Sequence, residues 1–197
     1  MNIVSLYIID ARNKSIEELN LDRFLTKEDK DFFASFVKEE TQKEKLVSLY
    51  LKKKYIGDFY LSMDDKPLSK DKFFNISHSK GVIALAISKD YPIGLDIEVL
   101  RDYKDDLAKY ISNDEEYKHI KDNKSFFEIW TAKEALVKCL GSGLKDNVKN
   151  IPALPIAGSK EYKDKIYHSK SAIIDDLVIS IALATSEDFK VEILTDF

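Results

Sequence analysis

Apolar and polar residues alternate over residues 2–9 and set Val4, Leu6 and Ile8 on a common side, so the chain is expected to begin with a strand. The period then changes. Thr26 followed by Asp29 has the form of a helix start, with Phe32, Phe33 and Phe36 as its apolar side. A longer helical segment runs from Glu39 to about Tyr60, with Leu46, Leu49, Tyr50 and Lys53 spaced along one face and a break near Gly57. Residues 73–76 are apolar-rich and lead into Ser77-His78-Ser79, a strand end or tight loop ahead of Gly81. Residues 81–88 read as a buried strand, and Tyr91-Pro92 marks a break before a further strand over residues 93–99.

Beyond that strand, residues 101–111 form a polar connection that passes into a short helix, and Ser112-Asn113-Asp114-Glu115 has the form of a capping box. A helical run containing residues 130–138 stops at Gly141 and Gly143. Pro152 and Pro155 mark an irregular approach to strands at residues 166–168, 172–174 and 177–183, with Asp175-Asp176 as a hairpin turn, and residues 189–194 form the last strand. The class is α+β. Residues 82–88 and 178–184 echo one another faintly, as short apolar strands often do.

Three blocks carry candidate chemistry. Asp96 and Glu98 stand two apart among β-formers, so both carboxylates project from one face while Leu95, Ile97 and Val99 take the other. Such like charges repel, and a Mg²⁺ ion, usually held by one or two carboxylates plus phosphates and water, would relieve them; a solvated edge-strand face fits equally. Glu134 and Lys138 are four apart on one helix face, which by itself is ordinary surface pairing of about 0.3–0.5 kcal/mol. Trp130 one turn earlier, with Phe126 and Phe127 before it, sets that pair beside an aromatic stripe. A carboxylate and a cation there suit phosphoryl chemistry. Ser77 and His78 can hydrogen-bond phosphate oxygens, or form a plain turn.

The order Asp65-Lys66-Pro67, Phe-Asn-Ile-Ser-His-Ser (74–79), Pro-Ile-Gly-Leu-Asp-Ile-Glu (92–98), a Ser-x-x-Glu segment at 112–115 and Trp-x-x-Lys-Glu-Ala-x-x-Lys (130–138), followed by Gly-Ser-Gly-Leu (141–144), resembles the Sfp-type 4'-phosphopantetheinyl transferases. The likeness runs from about Phe24 to Val191. It implies two similar α/β halves, residues 1–92 and 93–197, related by a pseudo-two-fold with the site in the cleft between them, a cleft one chain can complete as a monomer. It implies transfer of the phosphopantetheine arm of coenzyme A to a serine of an acyl or peptidyl carrier protein, releasing adenosine 3',5'-bisphosphate. On that basis Asp96, Glu98 and Glu134 are the Mg²⁺ ligands, and Lys43, Lys66, Ser77 and His78 contact coenzyme A. Lys138 stabilises or protonates the leaving phosphate, and Glu115, if it is not simply a helix cap, or a metal-bound water takes the serine proton. Lys133 falls about 100° away on the helix, behind the site or facing the carrier. The family's lysines ahead of the long helix are here Glu28 and Asp31, so contacts to the coenzyme A 3'-phosphate are expected to differ.

Composition narrows the alternatives. At 197 residues, 44% hydrophobic and 34% charged, the chain is long enough for a real core and too polar for a membrane protein. A net charge of −4 argues against a nucleic-acid binder, although Lys38, Lys43, Lys45 and Lys52 to Lys54 make one basic stretch. The lone Cys139 excludes an intrachain disulfide and fits a reducing, cytoplasmic setting, as does the lack of a leader pattern at Met1. Two other functions use the same residues: a Mg²⁺-dependent hydrolase of a nucleotide diphosphate, and a non-catalytic coenzyme A or carrier-binding module.

Overall fold

The computed structural model describes residues 2–36, 38–62, 67–141, 143 and 147–195. Its elements begin with β1 (Asn2–Asp10), α1 (Lys27–Ala34) and α2 (Glu39–Leu51), which runs on into a π-helical turn over Lys52–Ile56. The short strands β2 (Tyr60–Leu61) and β3 (Pro67–Leu68) precede β4 (Phe73–Ser79), β5 (Val82–Ser88) and β6 (Ile93–Val99). Three helices follow, α3 (Asp105–Ile111), α4 (Asp114–His119) and α5 (Asn123–Leu140). The chain ends in β7 (Gly158–Tyr162), β8 (Lys165–Ile174), β9 (Leu177–Leu183) and β10 (Phe189–Thr195). The α+β expectation holds. Among these residues no helix is long and apolar enough to cross a membrane.

Local signals act as expected at several ends. Thr26 caps α1 by accepting from the Asp29 amide while Asp29 reaches back, Gly57 ends the π-turn at φ 79, and Gly141 caps α5 at φ 80. The capping box at α4 is displaced by one residue. Asn113, and not Ser112, is the cap, so Glu116 reaches back to it in place of Glu115. β7 forms where only an irregular approach was expected, and β8 is unbroken where polar Ser169-Lys170-Ser171 suggested two pieces. The serines there have internal partners. Ser171 Oγ lies 2.6 Å from Ser180 Oγ, which lies 2.7 Å from Thr131 Oγ1 on α5, so the polar positions join strand to strand and strand to helix and do not mark a turn.

Two four-stranded sheets form, in the orders β10-β1-β5-β4 and β6-β9-β8-β7. A strand, a helix and an antiparallel hairpin occur twice, as β1-α2-β4-β5 and as β6-α5-β8-β9, with β5 and β9 inside their sheets. The two stretches that echo one another, residues 82–88 and 178–184, fall largely on β5 and β9. β10 does not join β9 in its sheet but pairs in parallel with β1.

The layers follow from strand periodicity. Val4, Leu6, Val82, Ala84 and Ala86 of the first sheet meet Leu95, Ile97, Val99, Ile179 and Ile181 of the second in a common core. Leu46, Val47 and Leu51 of α2 cover the other face of the first sheet over Ile83, Leu85 and Phe74. α5 covers the other face of the second sheet, with Phe127, Ala132 and Leu136 in the cluster that contains Val178 and Ala182.

The edge strands β4 and β6 meet without a backbone ladder. Asn75, Ser77 and Ser79 lie on one face of β4 by the two-residue period, and their side-chain oxygens accept from the amides of Leu95 (3.1 Å), Ile97 (3.3 Å) and Val99 (3.2 Å). Side chains thus stand in for a strand partner and close an edge that would otherwise be open.

α5 crosses β6 at Gly94, where a Cβ would sit 1.9 Å from the Ala135 carbonyl oxygen. A glycine in a strand ordinarily weakens it; here it admits the helix backbone. Behind the helix, Lys133 is fully buried and pairs with Glu116 at 2.7 Å, while its ammonium also donates to the carbonyls of Val148 and Ile151. It does not face a carrier protein. Overpacking typically costs about 1–3 kcal/mol, and Gly94→Ala should lower the unfolding free energy by at least that much, read as a lower urea midpoint, because backbone, not a flexible side chain, blocks the methyl. An unchanged midpoint would show that α5 does not sit this close to β6.

Candidate active site

β6 turns Leu95, Ile97 and Val99 into the core between the sheets and Asp96 and Glu98 the other way, towards α5. On α5, Trp130, Glu134 and Lys138 recur every four residues and share one face. β4 supplies Ile76, Ser77 and His78 from the other side, and these residues together line an open cleft of about 460 Å³. Six of the nine residues singled out in the sequence therefore meet in one place: Ser77, His78, Asp96, Glu98, Glu134 and Lys138.

Their bonding is specific. The Lys138 ammonium donates to Oδ1 of Asp96 at 2.6 Å and to Ser77 Oγ at 3.2 Å, and Ser77 Oγ itself donates to the same Asp96 oxygen at 2.9 Å. Ser79 Oγ donates to Oε2 of Glu98 at 2.6 Å, and that oxygen also accepts from Arg101 at 2.8 Å. Arg101 in turn donates to the Val99 carbonyl and stacks 4.6 Å from the centre of the Phe127 ring. Burial pushes the Asp96 carboxyl above its ordinary range, against the pull of Lys138. Burial also raises Glu134, and the charge of Asp96 adds to the effect.

Among the described residues no three His, Cys, Asp or Glu side chains are gathered closely enough to form a ready metal cage. Lys138 and Arg101 currently balance Asp96 and Glu98. The donor chemistry nevertheless fits a hard divalent ion. Three carboxylates supply only oxygen and share one cleft, where the charges of Asp96 and Glu98 add to burial in raising Glu134.

The other three candidates lie elsewhere. Lys66 falls outside the described residues. Lys43 on α2 is turned away from the cleft, its ammonium donating to the carbonyls of Lys14 at 3.2 Å and Ala11 at 3.5 Å. Its neighbour Glu44 does reach towards the site, 3.2 Å from His78 Nδ1, and accepts from the Gly81 amide at 3.0 Å. Glu115 is exposed on α4 and does not line the cleft. Sequence reasoning missed Arg101, which lies past the strand period, and Glu116. A signal for Glu116 existed: it stands three residues after Asn113, the spacing of a capping box.

Because Glu134 holds its proton more tightly in the folded chain than in the unfolded one, its contribution to stability falls as pH rises above the unfolded value of about 4.3. Glu134→Gln should therefore raise the thermal midpoint of the metal-free protein at pH 7, with the gain vanishing near pH 4. A midpoint at pH 7 equal to or below that of the unsubstituted protein would contradict a Glu134 carboxyl raised by burial and by its neighbouring charges.

Residues 92–182 match the model of the 4'-phosphopantetheinyl transferase superfamily. The chain is 36% identical over 80 residues to 4'-phosphopantetheinyl transferase gsp of Aneurinibacillus migulanus, covering 38% of this chain and 33% of that protein. It is 36% identical over 93 residues to 4'-phosphopantetheinyl transferase HetI of Nostoc, covering 40% of this chain and 39% of that protein. The likeness to 4'-phosphopantetheinyl transferase Sfp of Bacillus subtilis is longer and lower, 28% over 156 residues, covering 63% of this chain and 69% of that protein. The matched stretch thus spans only about a third to two fifths of the first two relatives. It is over residues 92–182, which carry Asp96, Glu98, Glu134 and Lys138, that this chain matches the 4'-phosphopantetheinyl transferase superfamily, in keeping with the order of its motifs.

Proposed function

We propose that this chain transfers the 4'-phosphopantetheine arm of coenzyme A to a serine hydroxyl of an acyl or peptidyl carrier protein, releasing adenosine 3',5'-bisphosphate. The observation that carries this reading is the cleft in which Ser77, His78, three carboxylates and Lys138 converge, within the matched family region and its neighbouring strand. The two strand-helix-hairpin units are read as halves related by a pseudo-two-fold, with the cleft where their edge strands β4 and β6 meet.

Asp96, Glu98 and Glu134 would hold Mg²⁺, which when bound neutralises charge on the pyrophosphate of coenzyme A. Exposed His78 would hydrogen-bond outer phosphate oxygens, with Lys66 as a further cation; Ser77, whose hydroxyl is committed to Asp96, and Lys43, whose ammonium is held by the carbonyls of Lys14 and Ala11, are assigned no phosphate contact. The carrier serine oxygen bonds to the β-phosphorus as the bond from that phosphorus to the departing adenosine bisphosphate breaks, and the serine proton passes to water in the open cleft. Lys138 places its charge where the leaving phosphate gains it. Glu115, exposed and outside the cleft lining, is assigned no part in this chemistry.

Intact-mass analysis of an apo acyl carrier protein after incubation with this protein, coenzyme A and Mg²⁺ tests the reading. A gain of about 340 Da, one phosphopantetheine, should appear and be lost on chelation. Asp96→Ala and Glu98→Ala should each abolish it. Product formed without a carrier would instead mark a hydrolase, and coenzyme A binding with no mass gain on several carriers would mark a binding module. Glu115→Gln should keep kcat/KM within about threefold; a loss of about 100-fold or more, the scale of a general base, would restore Glu115 to that role.

A further inference from the structure

Among the described residues, each of the two β6 carboxylates is held by only one of its oxygens. On Asp96 both donors, Ser77 Oγ and Lys138 Nζ, converge on Oδ1. On Glu98 both donors, Ser79 Oγ and Arg101, converge on Oε2. Among the described residues no donor reaches Oδ2 of Asp96 or Oε1 of Glu98. The arrangement repeats at a two-residue interval on both strands, pairing a serine of β4 with a carboxylate of β6 and adding one cation to each pair.

The serines cannot easily turn elsewhere. Ser77 and Ser79 are buried, and each hydroxyl oxygen already accepts from a β6 amide, that of Ile97 or Val99. With the lone pairs facing that amide, the hydroxyl hydrogen is left to point at the carboxylate, so the same contact that joins the sheets sets the carboxylate's rotation. Asn75 completes the row but differs in one respect. Its Oδ1 accepts from Leu95, and among the described residues no carboxylate is hydrogen-bonded to it.

We propose, on the transferase reading above, that Ser77 and Ser79, with Lys138 and Arg101, are positioning residues that pin one oxygen of Asp96 and of Glu98 so that the opposite oxygen is presented to a divalent cation. Outer partners of this kind fix ligand orientation in metal sites, and their loss commonly weakens metal affinity 10–100-fold. Arg101 has a further consequence. Stacked on Phe127 of α5 and bonded to Val99 of β6, it ties the helix carrying Glu134 to the strand carrying Glu98, and so fixes the distance between two of the proposed ligands.

Direct Mn²⁺ binding, followed by the electron paramagnetic resonance signal of the free ion with and without coenzyme A, separates this role from simple structural support. Ser79→Ala and Arg101→Met should each raise the Mn²⁺ dissociation constant 10–100-fold. Ser79→Thr, which restores the hydroxyl, should remain within about threefold of the unsubstituted protein. Asn75→Ala removes an equivalent sheet-joining bond without touching a carboxylate, so it should lower the melting temperature as Ser79→Ala does and leave Mn²⁺ affinity unchanged. Arg101→Met touches none of the three amide bonds and carries the test if Ser79→Ala does not fold. The proposal is overturned if Ser79→Ala and Arg101→Met bind Mn²⁺ as tightly as the unsubstituted protein, or if Asn75→Ala weakens binding as much as they do. In those cases loss of Mn²⁺ in Glu98→Ala would leave the metal assignment standing. Absence of Mn²⁺ binding by the unsubstituted protein, with coenzyme A present, would remove both together.

Discussion

Three side chains of β4 do the work of a missing strand. The amides of Leu95, Ile97 and Val99 point away from β9, into the seam between the sheets, and their acceptors are the oxygens of Asn75, Ser77 and Ser79. Each such hydrogen bond is worth only about 1 kcal/mol net, but a buried amide left without one costs about 1–3 kcal/mol. Three unmet amides would thus cost about 3–9 kcal/mol, comparable with the whole stability of a typical domain. This seam decides how the two sheets meet, and the cleft lies along it. A second tie lies at the far end of the seam, where Arg12 bridges Asp10 of β1 to Asp176 of the β8–β9 turn.

The third wall of the cleft is α5, and its position has a separate origin. Gly94 lets the helix backbone approach β6, while the Lys133–Glu116 pair holds its opposite face to α4 and to the loop around Val148 and Ile151. Removing one member of a buried pair typically costs about 3–5 kcal/mol because the other charge is stranded. Both oxygens of Glu116 are taken, one by Lys133 and the Asn113 amide and the other by the Ala153 amide. Nearby Lys160, buried and pulled down to about 8, donates to the Ala153 carbonyl and completes the packing of that loop. The cleft face of α5 is thereby set by a charge network on the face that never meets it.

Much of this could be read from the sequence, and what could not has a common cause. The shared face of Asp96 and Glu98 follows from a two-residue period, and the shared face of Trp130, Glu134 and Lys138 from a four-residue one; both are local and both hold. The partners of those residues are not local. Ser77 and Asp96, or Ser79 and Glu98, stand 19 residues apart on strands of different sheets, and no periodicity links them. Nor does any local signal send β10 back to β1, since a parallel pairing between the two ends of the chain is a property of topology. The shift from Glu115 to Glu116 is a subtler case. Ser112 and Asn113 are both good caps, and the choice falls to the residue whose carboxylate partner can also reach buried Lys133, which is information held in α5 and not in α4.

Stability and chemistry are joined more tightly on β4 than elsewhere. On α5 they use different faces: Glu134 and Lys138 look into the cleft, Lys133 looks away, and each face can be altered with some independence. On β4 a single hydroxyl serves both, because Ser77 and Ser79 accept from a strand amide and donate to a carboxylate with the same oxygen atom. Alanine at either position would open the seam and release the carboxylate at once. Asparagine, as at position 75, has an acceptor for the amide, but its second function is an amide group too large for the space a serine hydroxyl fills beside a buried Asp96. Serine is the smallest side chain that can accept and donate from one atom, and its recurrence at positions 77 and 79 follows from the need to do both within one strand spacing.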